Sequence, residues 1–145
     1  MVKVLVKKLD PNVKLPIYKT EGASGMDLIA FIEKSINIKP QTSEIVSTGL
    51  AFAFSENYEI QIRPRSGLAA KNNISVLNAP GTIDSDYRGE IKVIIYNHGN
   101  NNFIINNGDR IAQMVLAPVI KVELEETDNL PNTIRGEGRF GSTGK

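Results

Sequence analysis

The chain has 145 residues, the length of one ordinary domain, and carries 17 lysine and arginine residues against 16 aspartate and glutamate residues. Its net charge of +1 argues against a bulk electrostatic footprint for nucleic acid, although a local basic pocket is compatible with it. The lack of cysteine excludes disulfides, thiolate metal ligands and cysteine nucleophiles, and a single histidine, His98, argues against a histidine metal site or proton relay. Chemistry on this chain therefore has to use carboxylates, hydroxyls, amides, arginines and the main chain.

The sequence contains no recognisable targeting or membrane segment. Residues 1–10 are basic, but lysines interrupt their apolar stretch, which is too short and too charged for a signal peptide. No run approaches the ~20 apolar residues that a membrane helix needs. We therefore expect a soluble, cytoplasmic protein that binds neither membrane nor nucleic acid.

A period of two in the apolar residues predicts a series of short β-strands. Valines alternate with other residues over 2–6, and Tyr58, Ile60 and Ile62 alternate with polar residues as in a half-buried strand. Residues 91–96 carry apolar groups on both faces, which indicates a strand covered on both sides, in a core or at a subunit contact. Further β-rich runs cover 35–39, 44–54, 74–77, 102–105, 111–116 and 119–124.

Turn signals separate these runs at short intervals, around residues 10–11, 39–40, 79–81, 98–100 and 107–109. Many short strands with this punctuation predict an all-β protein, a jelly-roll-like sandwich or barrel. One short helix is expected around Ser66–Asn72, with Ser66 as its N-cap and Asn73 helping to end it. We expect one β domain over 1–127, followed by a mobile, Gly-rich C-terminal arm over 128–145.

The end of the arm, RGEGRFGSTG at 135–144, combines glycines with arginines, hydroxyls and one aromatic ring. Composition alone leaves two interpretations open, a disordered terminus or a clamp that binds an anion and a base. The segment is not a standard phosphate loop, because Arg139 occupies the position of the first glycine and no serine or threonine follows Lys145.

Two internal segments combine turn residues with groups that could carry chemistry. Asp84 lies in NAPGTIDSDYRG at 78–89, where it either caps a hairpin turn or orients and deprotonates a water molecule. Arg65 and Ser66 lie in RPRSGLA at 63–69, either in a capped turn or as donors to a phosphate. The residues by themselves leave both choices open.

Two further segments place single polar groups beside tight turns. Asp27 follows the glycine loop of GASGMDL at 22–28, and Gln113 lies within GDRIAQM at 108–114. We interpret Asp109 and Arg110 as a structural ion pair rather than a catalytic one. His98 is interpreted as a solvated loop residue without a role.

The order GxDL, PRSGLA, GxIDxxYRG, GDRIAQ and a Gly-rich FGSTG tail resembles the trimeric dUTP pyrophosphatases, or dUTPases. The resemblance covers residues 22–144, which is nearly the whole chain. The family tail usually reads RGxGGFG, whereas this chain has Arg139 in place of the second glycine of the pair. That substitution reduces backbone freedom and adds a charge.

The resemblance implies hydrolysis of dUTP to dUMP and pyrophosphate with Mg²⁺, which limits uracil in DNA and supplies dUMP for thymidylate synthesis. It also implies a jelly-roll homotrimer whose active sites are shared, with the arm closing over a neighbouring subunit's site. Asp84 would hold and activate the attacking water. Asp27 would support the metal's water shell without ligating the metal directly.

The resemblance further implies a set of substrate-binding residues. The phosphates would contact Arg65, Ser66 and Gly67 with Gln113 nearby, and Arg135, Ser142 and Thr143 of the arm. The uracil would meet Asn78, the main chain of Thr82, Ile83 and Asp84, the backbone of Lys92, and the stacking ring of Phe140. Tyr87 would pack on the deoxyribose and leave no room for a 2′-hydroxyl.

Two other functions are compatible with the same scaffold. A dCTP deaminase-like enzyme would release ammonia from dCTP, but Tyr87 and the arm match the hydrolase pattern more closely. A non-catalytic nucleotide-sensing module would bind dUTP tightly without hydrolysing it, but the expected catalytic positions are all present.

Overall fold

The computed structural model describes residues 1–138. Phe140, Ser142 and Thr143, for which the sequence predicts substrate contacts, lie outside the described residues, as does Arg139. The described part contains one helix and eleven strands: β1 Leu5–Lys8, β2 Met26–Ile29, β3 Ile36–Ile38, β4 Ser43–Ser47, β5 Leu50–Ala53, β6 Tyr58–Arg63, α1 Ser66–Asn72, β7 Ile74–Val76, β8 Gly81–Ile83, β9 Lys92–Asn97, β10 Phe103–Ile105 and β11 Arg110–Pro118.

The strands form antiparallel sheets around one core. The largest sheet has the order β2-β11-β6-β8, a second has the order β4-β9-β7, and β1-β5 and β3-β10 form two-stranded ribbons. This arrangement confirms the predicted all-β, jelly-roll-like class. Among the described strands no sheet closes on itself, so the architecture is an open sandwich rather than a barrel.

The apolar periodicity accounts for the core. Ile60 and Ile62 of β6 are buried, and they pack in one cluster with residues of β2, β4, β5, β7, β9 and β11. In β9 the residues Val93 and Ile95 are buried in the core while Ile94 is only partly covered, so cover of the second face by a subunit contact stays a prediction.

Two of the predicted runs differ from the observed strands, and the observed strand β2 was not predicted. The run 44–54 is broken into β4 and β5 at Gly49, whose φ of +68° lies in the left-handed region that favours glycine. The run 119–124 forms no strand, and its Ile120, Val122 and Leu124 side chains are exposed to solvent. Conversely, β2 follows the glycine loop at a place where no strand is predicted, because pairing with β11 decides its conformation.

The predicted helix is confirmed, but its cap is not. Arg65 is the N-cap and makes no side-chain cap hydrogen bond, so Ser66 is the first helical residue rather than the cap. The end is as expected, since Asn73 adopts φ 56° and ψ 37°, a left-handed conformation typical of a helix C-terminus. No helix in residues 1–138 is both long and apolar enough to cross a membrane.

Candidate active site

Strand register brings three polar residues of the predicted motifs side by side. In the large sheet Gln113 of β11 is paired with Asp27 of β2 on one side and with Arg63 of β6 on the other. The Gln113 Nε2 donates to the Pro64 carbonyl at 2.9 Å. Gln113 therefore fixes the segment that leads from β6 to α1.

A carboxylate and two guanidinium groups meet at the end of this sheet. Arg65 Nε lies 3.0 Å from Asp27 Oδ1, and Arg110 Nη1 lies 3.5 Å from Asp27 Oδ2. A second nitrogen of Arg65, Nη1, donates to the Arg110 carbonyl at 3.0 Å. We call Asp27, Arg65 and Arg110 the Asp27 cluster. It carries one net positive charge, and its arginines match the geometry of a phosphate.

The Asp27 cluster corrects the predicted pairing of Asp109 with Arg110. Asp109 Oδ2 accepts the backbone N–H of Asn106 at 2.8 Å, whereas Arg110 pairs with Asp27. Asp109 is thus used to close the turn before β11. Arg110 is a candidate site residue that sequence reasoning missed, and the only signal was its place inside the GDRIAQ motif.

The space beside the Asp27 cluster is open to a ligand. A cavity of about 430 Å³ is lined by both arginines of the cluster and by Leu68, Asp109 and apolar residues of β10. Ser66 and Gly67 are exposed at the start of α1, and a Cβ on Gly67 would have no neighbour within 4 Å. These residues are accessible to phosphate, as the resemblance implies.

The second half of the candidate site is the hairpin after α1. Gly81 begins β8 opposite Ile62, and a Cβ there would lie 3.2 Å from Asn78 Nδ2 and 3.3 Å from the Ile62 Cβ. Glycine at this position lets the Asn78 amide pack closely against the strand. The Ala79-Pro80 peptide is cis.

Most of the residues predicted for nucleoside recognition line one cavity. The cavity has a volume of about 240 Å³, and its lining consists of Thr82, Ile83, Asp84, Tyr87, Glu90 and Lys92. Asp84 and Tyr87 are exposed at its mouth. Asp84 also borders a wider cavity of about 590 Å³, whose wall includes Glu56, Glu59 and Asp86. The carboxylate of Asp84 is therefore accessible to water and to a ligand.

The two halves lie far apart within one chain. Ile83 is paired with Ile60, so Asp84 lies alongside Glu59, whereas Arg65 follows the opposite end of β6. Arg65 lies six positions after Glu59 along extended chain, which corresponds to roughly 20 Å. The structure therefore brings the phosphate-binding candidates at Arg65–Gly67 close to Gln113, and it groups the nucleoside-binding candidates of the hairpin, but it does not bring these two groups together.

The arm is described only as far as residue 138. Its Arg135 is exposed, and its Nε donates to the Gly138 carbonyl at 3.2 Å. Among the described residues, Arg135 makes no hydrogen bond to the hairpin or to the Asp27 cluster. Its predicted phosphate contact stays a prediction.

The fold and the two polar clusters define a class, the jelly-roll-like β proteins with motifs for binding a nucleoside phosphate. The dUTPase family model matches residues 11–144, and the chain belongs to the dUTPase family. As a member of that family it is a dUTP-hydrolysing enzyme, which confirms the resemblance seen in the motifs.

Full-length relatives support this assignment. The chain is 55% identical over 143 residues to a deoxyuridine 5′-triphosphate nucleotidohydrolase of Hydrogenobaculum sp., covering 99% of both chains. It is 52% identical over 144 residues to the enzyme of the same name from Nautilia profundicola, covering 99% of this chain and 100% of the relative.

Solved structures show the same fold at low identity. A mutant dUTPase of Staphylococcus bacteriophage 80alpha with dUpNHpp superposes with a TM-score of 0.87 at 24% identity, covering 99% of both chains. A mutant dUTPase from phage phi11 of S. aureus, described with a structural Mg(II) ion, gives 0.80 at 21% identity and covers 90% of this chain and 99% of the other.

Proposed function

We propose that this protein hydrolyses dUTP to dUMP and pyrophosphate by in-line attack of water on the α-phosphorus, in a Mg²⁺-dependent homotrimer. The observation that carries the proposal is the 240 Å³ cavity, because its lining consists mainly of residues assigned to uracil, deoxyribose and the attacking water. The reaction would limit uracil in DNA and supply dUMP for thymidylate synthesis. A cytoplasmic location stays a prediction.

Asp84 is proposed as the general base. Its carboxylate is exposed at the junction of two cavities, where it can accept a hydrogen bond from a water molecule. A base held beside the α-phosphate would orient this water in line with the leaving pyrophosphate and accept its proton. The sequence contains no cysteine and one histidine, so a carboxylate is the natural group for this step.

The hairpin is proposed to recognise the nucleoside. Asn78 and the main chain of Thr82, Ile83 and Asp84 would pair with the uracil edge, with Lys92 contributing backbone from β9. A narrow hairpin would exclude thymine because of its methyl group, and cytosine because its hydrogen-bond donors would not match. The mismatch of donors would discriminate more strongly than the extra methyl group. Tyr87 would pack against the deoxyribose.

The Asp27 cluster and the start of α1 are proposed to bind the triphosphate. Arg65 would donate to the phosphates together with Ser66 and Gly67, and Gln113 would hold Pro64 in place behind them. Asp27 lies within ion-pair distance of two guanidinium groups, so its first proposed role is to orient Arg65. From the same position it would also contact the water shell of a bound metal ion.

The donor chemistry fits a Mg²⁺ ion that is bound with the nucleotide. In residues 1–138 no group of three or more histidine, cysteine, aspartate or glutamate side chains could hold a metal ion by itself. Mg²⁺ usually keeps several waters and binds through few carboxylates plus substrate phosphates. When bound, it would neutralise phosphate charge. Asp27 would contact its water shell.

Two observations support an oligomer with shared sites. The separation of roughly 20 Å between Asp84 and Arg65 along β6 prevents both from reaching one α-phosphate within a chain. Residues 120–124 alternate apolar and polar side chains like a strand, yet Ile120, Val122 and Leu124 are 89%, 78% and 91% exposed. A second copy could pair with this segment and bring its Arg65 to Asp84.

The chain is proposed to divide into a catalytic β domain over 1–127 and an arm over 128–145. The described part of the arm, residues 128–138, contributes no strand and is exposed throughout. In the proposed complex Phe140 would stack on uracil, and Arg135, Ser142 and Thr143 would bind the distal phosphates of a neighbouring subunit's substrate.

The direct test is pyrophosphate release from a panel of nucleoside triphosphates with Mg²⁺. We expect a marked preference for dUTP over dCTP, dTTP and UTP. Ammonia release from dCTP would favour a deaminase instead, and tight dUTP binding without hydrolysis would favour a sensing module. Equal hydrolysis of all the nucleotides would contradict the proposal.

A further inference from the structure

Glu90 lines the 240 Å³ cavity together with Asp84 and Tyr87, but it lies outside the motifs that indicate the reaction. Its carboxylate is about one-fifth exposed. Its Oε1 accepts the backbone N–H of Gly49 at 2.9 Å, and its Oε2 lies 3.6 Å from Lys92 Nζ. The side chain thus joins the end of the hairpin to the corner between β4 and β5.

The main chain of Glu90 holds Tyr87. The Tyr87 hydroxyl donates to the Glu90 carbonyl at 3.1 Å. The ring folds back over Gly89, where a Cβ would overlap the phenol. Because residue 89 is glycine, the ring can lie against this stretch of backbone with its hydroxyl on the carbonyl of Glu90.

Hydrogen bonds of buried residues hold the corner between β4 and β5, which the Glu90 carboxylate contacts. The Thr48 hydroxyl donates to the Ile91 carbonyl at 2.6 Å, and the Ile91 N–H donates to the Leu50 carbonyl at 2.7 Å. Thr48 and Ile91 are both buried. Glu90 therefore connects the exposed Tyr87, through its carbonyl, to a part of the fold that its carboxylate contacts and that buried hydrogen bonds hold.

We propose that Glu90 is a positioning residue that sets the discrimination between deoxyribo- and ribonucleotides by holding Tyr87 through the carbonyl of residue 90. The inference rests on the proposed function, in which Tyr87 packs against the deoxyribose. Exclusion of a 2′-hydroxyl depends on where the ring lies, and small displacements of a positioning group have large kinetic consequences. A ring released from the carbonyl would make room for the extra oxygen of UTP.

The test compares kcat/KM for dUTP and for UTP in full-length variants. Glu90→Ala leaves the Gly49 N–H without its acceptor and should lower the dUTP-to-UTP ratio about tenfold. Glu90→Gln keeps an oxygen acceptor and should preserve the ratio within about twofold. Glu44→Ala removes an exposed carboxylate from β4, away from the cavity, and should leave the ratio unchanged.

Removal of the Tyr87 hydroxyl provides a second, independent test. Tyr87→Phe keeps the ring but removes the donor to the Glu90 carbonyl, so it should also lower the ratio. If Glu90 acts through Tyr87, the double variant should lose little more than either single variant. Tyr87→Phe keeps the inference falsifiable even if Glu90→Ala does not fold.

An unchanged dUTP-to-UTP ratio in Glu90→Ala or in Tyr87→Phe would overturn the inference while leaving the proposed function intact. If the ratio in Glu90→Ala is unchanged because both activities fall equally, the role of Glu90 is structural alone. A wild-type protein without any preference for dUTP would overturn the proposed function and the inference with it.

Discussion

At the scale of single residues, two carboxylates with the same chemistry are placed in opposite surroundings. Asp27 is mostly covered and lies between the guanidinium groups of Arg65 and Arg110, so each of its oxygens already faces an arginine. Asp84 is exposed at a cavity mouth. The difference indicates that Asp27 orients an arginine, whereas Asp84 is available to a water molecule.

We expect Asp84→Asn to retain nucleotide binding and lose most turnover. The amide keeps the size of the side chain but cannot accept a proton, and general base catalysis contributes about 10²–10⁴-fold. Pyrophosphate release measures the loss, and calorimetric titration with a non-hydrolysable dUTP analogue measures binding. Near-normal turnover would remove Asp84 as the base.

At the scale of elements, the corner between β4 and β5 positions the hairpin. Gly49 breaks a run that the sequence predicts as one strand, and its N–H is the donor to Glu90. A Cβ at Gly49 would lie 2.5 Å from Val13 Cγ2 and 3.1 Å from Phe31 Cδ1. Backbone conformation and packing both require glycine there.

Gly49→Ala should therefore lower the free energy of unfolding by about 1–3 kcal/mol, because it combines a left-handed φ with a steric overlap. Thermal or denaturant unfolding gives the value. Gly22→Ala is the matched control, since a Cβ at Gly22 meets nothing within 4 Å. Equal stability of the two variants would show that the corner tolerates a side chain.

If the C-terminal arm serves only to clamp the substrate, the oligomer should form without it. Deletion of residues 133–145 should collapse turnover while the oligomer persists, because the arm carries Arg135, Phe140, Ser142 and Thr143 but not the run 119–124. Steady-state kinetics and light scattering measure the two effects. Full activity of the truncated protein would contradict the clamp.

At the scale of the whole molecule, the single chain leaves an apolar segment uncovered and the two halves of the candidate site apart. The run 119–124 presents apolar side chains to solvent, and the hairpin and the Asp27 cluster lie at opposite ends of β6. Association of identical chains would satisfy both features, because one interface can cover the segment and combine the two halves of the site.

Val122→Glu should weaken the oligomer, since it places a charge on the apolar side of that segment. Glu123→Ala alters the neighbouring polar residue and should leave assembly intact. Light scattering coupled to gel filtration reports the mass of each variant. An unchanged mass for Val122→Glu would show that the segment lies outside the interface.

Shared sites also predict complementation between two inactive variants. Asp84→Asn and Arg65→Ala should each hydrolyse dUTP poorly, but a mixed trimer of the two variants should regain activity at about one site in three, where each half comes from an intact copy. Mixed oligomers purified with two different tags allow this measurement. Mixtures as inactive as their components would indicate that each site is built within one chain.

Local patterns account for much of the fold and for the choice of chemical groups. The alternation in β6 indicates which of its side chains are buried, and Asn73 ends the helix near the expected residue. Local patterns fail where pairing overrides them. β2 is a strand because β11 lies beside it, and 119–124 is not a strand because no partner strand pairs with it in residues 1–138.

The sequence by itself determined the all-β class, the dUTPase family and the residue types available for catalysis, because these depend on short-range periodicity and motif order. Only the tertiary structure decided that Arg110 pairs with Asp27 instead of Asp109, that Glu90 bonds to Gly49, and that Asp84 and Arg65 are apart. These contacts join residues distant in the chain. They depend on strand register and on the turns that set it, which no local pattern specifies.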